Sequence, residues 1–298
     1  MVTAAHDPEL LALLTLRRTP GLGPRRVGAL RRHCGSARAV LETSLTSLRE
    51  IPGLDHKALA AIGTPEPGRR AVQEMHRAAE YGVSLLGRGL EGYPQALKAL
   101  DDPPAVIWLR GELPLLETVP QAIGIVGTRK ASTYALNLTA RVSGDLARAG
   151  VVVVSGLARG IDTAAHRAAV DAGGVSIGIL GSALDQMYPA EHEELAERLV
   201  TLSEHPLGTR SAAHNFPMRN RLIAALSAGS LIVESELTSR TLPISLGRAS
   251  RSAPRRGPPA RSGPGQRRRR AGRRASGHAG SHGGLPAGRC GARGPAGP

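Results

Sequence analysis

Apolar and polar positions change rhythm twice along this chain, dividing it into three stretches. Over residues 9–62, apolar side chains recur at helical spacing in short segments broken by glycine and proline, which predicts a set of short helices. Two of these segments, Arg25–His33 and His56–Ile62, follow the same tripeptide: Pro20-Gly21-Leu22 recurs as Pro52-Gly53-Leu54. A tight glycine turn between short helices exposes backbone N–H groups at a helix N-terminus, which can hold a phosphate. The repeat reads either as a helix-hairpin-helix pair or as a helical bundle whose glycines only turn the chain. Arg25 and Arg26 beside the first turn favour the former, and Asp55 beside the second favours the latter. Thr64-Pro65-Glu66-Pro67-Gly68 reads as a linker.

From Val83 onward, short continuous apolar runs alternate with helical segments. The predicted strands are Val83–Leu86, Val106–Leu109, Ala122–Val126, Val151–Ser155, Val175–Leu180, Thr201–Ser203 and Ser230–Val233. Between the third and fourth, Tyr134, Leu138, Val142 and Leu146 at steps of four predict an amphipathic helix with those residues as its apolar face. Ala164–Ala172 and Glu191–Val200 predict two more helices. Continuous apolar strands separated by helices imply strands covered on both faces, a Rossmann-like, doubly wound, mostly parallel sheet.

After Ser239 the pattern stops. Residues 240–298 contain 14 arginines, no lysine and no acidic residue, while residues 1–239 hold 25 basic and 24 acidic side chains. The formal charge of +15 therefore belongs almost wholly to the tail, and a global pI says nothing about the folded part. Arg, Gly, Ala, Pro and Ser make up 50 of these 59 residues, too little apolar surface to offset ordering, so the tail is expected to be disordered. Cys34 and Cys290 lie too far apart in sequence to suggest a disulfide framework or zinc site. No segment has the length of a membrane span, and the N-terminus lacks a signal peptide's pattern. A cytoplasmic location, no cofactor and no metal are the expectations.

In an α/β sheet, ligands bind beyond the carboxyl ends of the strands. The segments leaving those ends are rich in Gly and Arg: Gly127-Thr128-Arg129-Lys130, Gly156-Leu157-Ala158-Arg159-Gly160-Ile161-Asp162, Gly181-Ser182-Ala183-Leu184-Asp185 and Phe216-Pro217-Met218-Arg219-Asn220-Arg221. Glycine lets backbone approach an anion, and arginine offers a planar fork of donors. The predicted result is a phosphate-binding rim, with Phe216 in a loop offering its face to a base. Each residue also has a plainer reading. Asp162 reads first as the cap of the Thr163–Ala172 helix, and His166 as a packed helix residue. Arg159 pairs with Asp162 or Asp185 on that reading, Phe216 fills the core, and Trp108 is core or domain-interface packing. GxGxxG, P-loop, HExxH, GxSxG and paired-cysteine signatures are absent, which lowers an enzymatic reading.

The strings YPQALKALDDPPAVIWLRGEL, IVGTRKAS, VVVSGLARGIDTAAH, GILGSALDQMYP and NFPMRNRLIAALSAGSLIVES, in that order, resemble the DNA-processing protein A (DprA/Smf) family from about Glu91 to Ser235. The resemblance implies a cytoplasmic bacterial protein, not an enzyme, that binds and protects single-stranded DNA and loads RecA recombinase during natural transformation. It also implies a homodimer. Carried over by position, the family's phosphate loop matches Gly127, Thr128 and Arg129, next to Lys130. Its F-P-x-R-N-R stretch matches Phe216, Pro217, Arg219, Asn220 and Arg221. Gly156, Arg159, Gly160, Asp162 and His166 match the motif that shapes the pocket floor.

The implied organisation is a small all-helical (helix-hairpin-helix/SAM-like) domain over 1–64, a linker and helix over 65–82, a Rossmann-like DNA-binding domain over 83–239, and the basic tail over 240–298. From Ser239 the family's pattern breaks. A frameshift in a GC-rich gene would give such a tail, and a genuine basic tail would add a sequence-independent grip on nucleic acid. The frameshift is the favoured reading because the family's dimerising C-terminal part is missing, which puts the homodimer and recombinase loading in question. A non-functional truncated product is a third reading. The alternative of another class is a nucleoside-monophosphate hydrolase of the lysine-decarboxylase-like group. That group needs a Pro-Gly-Gly-x-Gly-Thr loop, which is missing here.

Overall fold

The computed structural model describes residues 7–51, 53–112 and 121–234; the tail expected to be disordered lies outside the described residues. The N-terminal region is helical: α1 (Pro8–Arg18), α2 (Pro24–Cys34), α3 (Ala37–Glu42), α4 (Leu45–Leu48) and α5 (His56–Ile62). Asp7, Ser36, Ser44 and Asp55 cap α1, α3, α4 and α5 through their side-chain oxygens. The expected linker at 64–68 instead opens α6 (Glu66–Glu80). Pro67 stands in the first turn, where its missing N–H would have had no intrahelical partner.

Among the described residues seven strands follow, each overlapping one of the seven apolar runs: β1 (Ser84–Gly87), β2 (Val106–Arg110), β3 (Ala122–Gly127), β4 (Val152–Ser155), β5 (Ser176–Ile179), β6 (Val200–Ser203) and β7 (Gly229–Val233). They form one sheet in the order β1-β2-β6-β5-β4-β3-β7. The pairs from β6 to β7 are parallel, while β2 runs antiparallel to both β1 and β6. An apolar run does not report strand direction, so β1 and β2 carried no sign of their reversal. The chain steps outward from β3 through β4 and β5 to β6, then returns to place β7 on the other side of β3.

Helices α8 (Thr133–Arg148) and α9 (Ile161–Asp171) cover one face, and α7 (Gln95–Lys98) and α11 (Asn215–Ala225) the other. Side chains alternate accordingly: Val153 packs with Ile161 and Ala165, whereas Val152 and Val154 pack with Leu222 and Ile223. The expected helix over Glu191–Val200 is shorter, a 3-10 turn at Ala190–His192 leading into α10 (Glu193–Glu197), because Val200 already opens β6. The apolar face expected of α8 is also not the buried one. Tyr134 is 77% and Leu138 39% exposed, while Ala135, Thr139, Ser143, Gly144 and Ala147 face inward. Small residues let α8 lie close against α9, and that close approach outweighs the larger apolar side chains.

The helical region and the first strands share one core, running from Leu13, Leu16 and Leu30 to Leu85 and Trp108. Within it the buried Glu74 carboxylate accepts from Trp108 Nε1 and from Leu207 N, both at 2.7 Å, and pairs with Arg18. Trp108 is thus interior packing with its N–H satisfied. No helix among the described residues is long and apolar enough to cross a membrane.

His166, on α9, is fully buried. Ser176 Oγ donates to Val153 O at 3.0 Å, so Nδ1 of His166 must donate to Ser176 Oγ at 2.7 Å. Nε2 is buried and unpartnered among the described residues, and burial pulls the pKa down to about 3, which keeps the ring neutral. His205 is pulled to about 4, again mainly by burial. Both groups bind protons more tightly in the unfolded chain, so their contribution is complete above pH 6.5 and lost as pH falls from there towards 4 and 3. Unfolding free energy should fall by about 1.4 kcal/mol per pH unit for each histidine over that window. His166→Asn, which keeps a donor near the Nδ1 position, should reduce that slope in denaturant titrations. An unchanged slope would contradict the buried neutral ring.

Candidate functional site

The carboxyl ends of β3, β4, β5 and β6 lie side by side, and the segments leaving them meet the N-terminus of α11. After β3, Thr128 N donates to Glu234 O at 2.9 Å, and Thr128 Oγ1 accepts from Lys130 N at 3.2 Å. That turn leaves the Arg129 and Lys130 side chains exposed. Among the described residues neither has a carboxylate within ion-pair distance; Arg129 instead lies over the Phe216 ring, its guanidinium carbon 4.8 Å from the centroid.

The loop after β4 is packed tightly against its neighbours. Gly160 has φ +79°, and a Cβ there would lie 2.4 Å from Thr128 O, so the loops after β3 and β4 interlock only with glycine. Ile161 N donates to the same carbonyl at 3.3 Å. Arg159 is exposed and pairs with Glu191 at 2.6 Å, not with Asp162 or Asp185. Asp185 is taken instead by Arg77 and by Gly208 N.

Two residues expected on the rim lie beneath it. Arg219 is 4% exposed: its guanidinium donates to Ile179 O at the end of β5 and pairs with Asp162 at 3.7 Å. It fills the space over Gly156, where a Cβ would fall 1.8 Å from Nη1. Arg221 is turned towards Glu204 and Asp102. The physical reason is helical phase. Asn215, Arg219, Leu222 and Ile223 share one side of α11 and all four are buried, so Arg219 sits on the inward stripe despite its charge. Asn220, half-buried, lies between these two arginines in sequence.

Phe216 stands in the first turn of α11, not in a loop; Pro217 is tolerated there as a first-turn residue. The ring is partly buried and belongs to none of the apolar clusters. Asp162 is likewise not a cap. Gly160 holds the N-cap position, and Asp162 lies in the first turn of α9 with its carboxylate accepting from Ala158 N at 3.4 Å. Burial pushes Asp162 up from the usual carboxylate range, with Arg219 drawing it back. Burial likewise lowers Arg219, which Asp162 offsets.

A small recess opens between these pieces, lined by Arg129, Ala158, Arg159, Tyr188, Pro189 and Phe216. Sequence reasoning missed Tyr188 and Glu191. Both lie downstream of β5, and the Tyr-Pro pair ending Gly181–Pro189 was the available signal. The site thus presents exposed cations and aromatic rings over a buried polar floor of Asp162, His166 and Arg219.

The family described as DNA recombination-mediator protein A matches residues 84–251, more than half of the chain and beyond both ends of the stretch read from motifs. DNA processing protein DprA of Bacillus subtilis is 38% identical over 167 residues, covering 55% of this chain and 56% of that protein. Protein Smf of Synechocystis is 32% identical over 228 residues, covering 74% and 57%. The chain thus spans a little over half the length of these curated relatives. Among solved structures, DNA processing protein A from Streptococcus pneumoniae matches with a TM-score of 0.66 and 29% identity, over 79% of this chain and 81% of that one.

Arg219→Met leaves the Asp162 carboxylate buried without its cation. Unfolding free energy should drop by about 3–5 kcal/mol in denaturant titrations. Adding Asp162→Asn should recover part of that loss. If the single substitution is neutral, the pair does not hold the site.

Proposed function

The chain belongs to the DNA recombination-mediator protein A family, and on that premise we propose that it binds single-stranded DNA along the rim of loops at the carboxyl edge of its sheet. One observation carries this reading: Arg129 and Lys130 are exposed without carboxylate partners among the described residues, and Arg129 stands beside two aromatic rings. Gly127, Thr128, Arg129 and Lys130 form the phosphate loop. Gly156, Arg159 and Gly160 form the adjoining wall, and Phe216 and Asn220 close it from α11. Arg219 and Arg221 serve from below, through Asp162 and Glu204. Duplex DNA hides its base faces, whereas an unstacked strand offers both phosphates and bases to such a rim. Asp162 and His166 beneath the rim are buried and committed to packing, and the exposed Glu191 is taken by Arg159, which favours binding over hydrolysis of a nucleoside monophosphate.

The sheet is read as a Rossmann-like, doubly wound domain over 83–239, with its ligand where strand order reverses. The helical domain over 1–64 is read as a helix-hairpin-helix pair, joined through 65–82. Asp55 caps the second hairpin, accepting from Ala58 N at 2.7 Å and pairing with Arg26, so an anion already occupies that turn. The first hairpin, with Gly23 at its N-cap, is the open one. Protection of the strand in the cytoplasm, handover to a RecA-type recombinase and a homodimer follow from the family resemblance.

Arg129→Ala should weaken binding to an oligo-dT strand and flatten the dependence of log affinity on log salt by about 0.7, the value for one neutralised phosphate on a single strand. Unchanged affinity and slope in a folded variant would refute the rim assignment. The tail, with its 14 arginines and no acid, should bind duplex and single strand alike. A chain ending at Ser239 should therefore lose duplex binding and keep oligo-dT binding in gel shifts. An unchanged ratio would exclude an electrostatic role for the tail.

A further inference from the structure

Of the two aromatic rings at the rim, the one with an open face is not Phe216. That ring has the Arg129 guanidinium over it, 4.8 Å from its centroid. The Gly181 backbone lies beside its edge, close enough that an added Cβ would fall 3.2 Å from Phe216 Cδ1. Tyr188 is 47% exposed and lies outside the apolar clusters. Its centroid is 6.0 Å from that of Phe216, with the ring planes 56° apart. Among the described residues, no hydrogen bond holds its phenol.

Tyr188 also lines the recess with Arg129 and Arg159. An exposed ring beside two cations matches what an unpaired nucleotide requires: an apolar plane for the base and donors for the phosphates on either side of it. Phe216 touches both Tyr188 and Arg129, so it supports the platform without itself being the platform. We propose that Tyr188 is the residue on which a base of single-stranded DNA stacks, and that this contact gives the rim its preference for unpaired strands. The proposal rests on the rim reading above and assigns the base-recognising ring within it.

The test compares binding of the full chain to an oligo-dT strand and to an abasic strand of equal length, which keeps the phosphates and lacks the bases. Tyr188→Leu should weaken oligo-dT binding roughly 5- to 150-fold, the equivalent of losing one stacked base. Tyr188→Phe should bind as the parent does. The abasic strand should bind the parent and Tyr188→Leu equally, because the tail and the arginines are common to both. Tyr188→Trp supplies a second readout, since Trp108 is fully buried: its added fluorescence should be quenched by oligo-dT and not by the abasic strand. If Tyr188→Leu binds oligo-dT normally while Arg129→Ala binds weakly, the ring assignment is overturned and the rim reading stands. If both variants bind normally, the rim reading fails and Tyr188 with it. An equal loss on both strands, or no quenching in the Trp variant, also overturns the stacking role.

Discussion

Arg219 carries a guanidinium into the interior of the sheet's carboxyl edge, and the segments around it are arranged by the need to compensate that charge. A buried cation is stable only when paired and hydrogen-bonded. Ile179 O supplies one acceptor and the Asp162 carboxylate the counter-charge. The guanidinium occupies the space a side chain at position 156 would need, which fixes glycine there. Asp162 in turn takes the N–H of Ala158, which shapes the turn that points Arg159 outwards. One buried pair thus ties the end of β5, the loop after β4, α9 and α11 into a rigid floor. The exposed, charged side chains of Arg129 and Lys130 stand above it.

That division of labour between a buried and an exposed arginine is what a phosphate-binding surface requires. Exposed cations must be free to exchange small counterions for phosphates, so they cannot be locked in a buried ion pair. The folded part of the chain is close to electrically neutral, with 25 basic and 24 acidic residues up to Ser239. Any selectivity for a nucleic acid within it must therefore come from placement, not from bulk charge. Arg159 marks the boundary, since its exposed pair with Glu191 is the weak, solvent-screened kind that a phosphate can displace.

Much of this arrangement could be read before the structure, and the failures share a cause. The inner strands were legible because a strand buried on both faces must be apolar throughout, and the edge strands β1 and β7 are apolar enough to follow although partly exposed. The rim was legible because glycine and arginine follow four of those strands. What stayed hidden depended on which side of an element faces the interior. Arg219 looks like a surface ligand by charge, yet it falls in phase with Leu222 and Ile223. Tyr134 and Leu138 look like core by hydrophobicity, yet α8 buries its small residues against α9. Phe216 reads as a loop residue because a polar stretch precedes it and Pro217 follows, although proline is at home in a first turn. Tyr188 was overlooked because a single tyrosine after a glycine-rich loop has no periodicity to mark it.

Amide hydrogen exchange of the full chain, with and without a saturating oligo-dT strand, asks where the nucleic acid sits without altering a residue. Slowed exchange confined to the segments around Thr128–Lys130, Leu157–Gly160, Met187–Tyr188 and the start of α11, together with any slowing within 240–298, is the expected footprint. Protection limited to residues 240–298, with the loops at the sheet edge exchanging as in the free protein, would contradict the assignment of the rim as the binding surface.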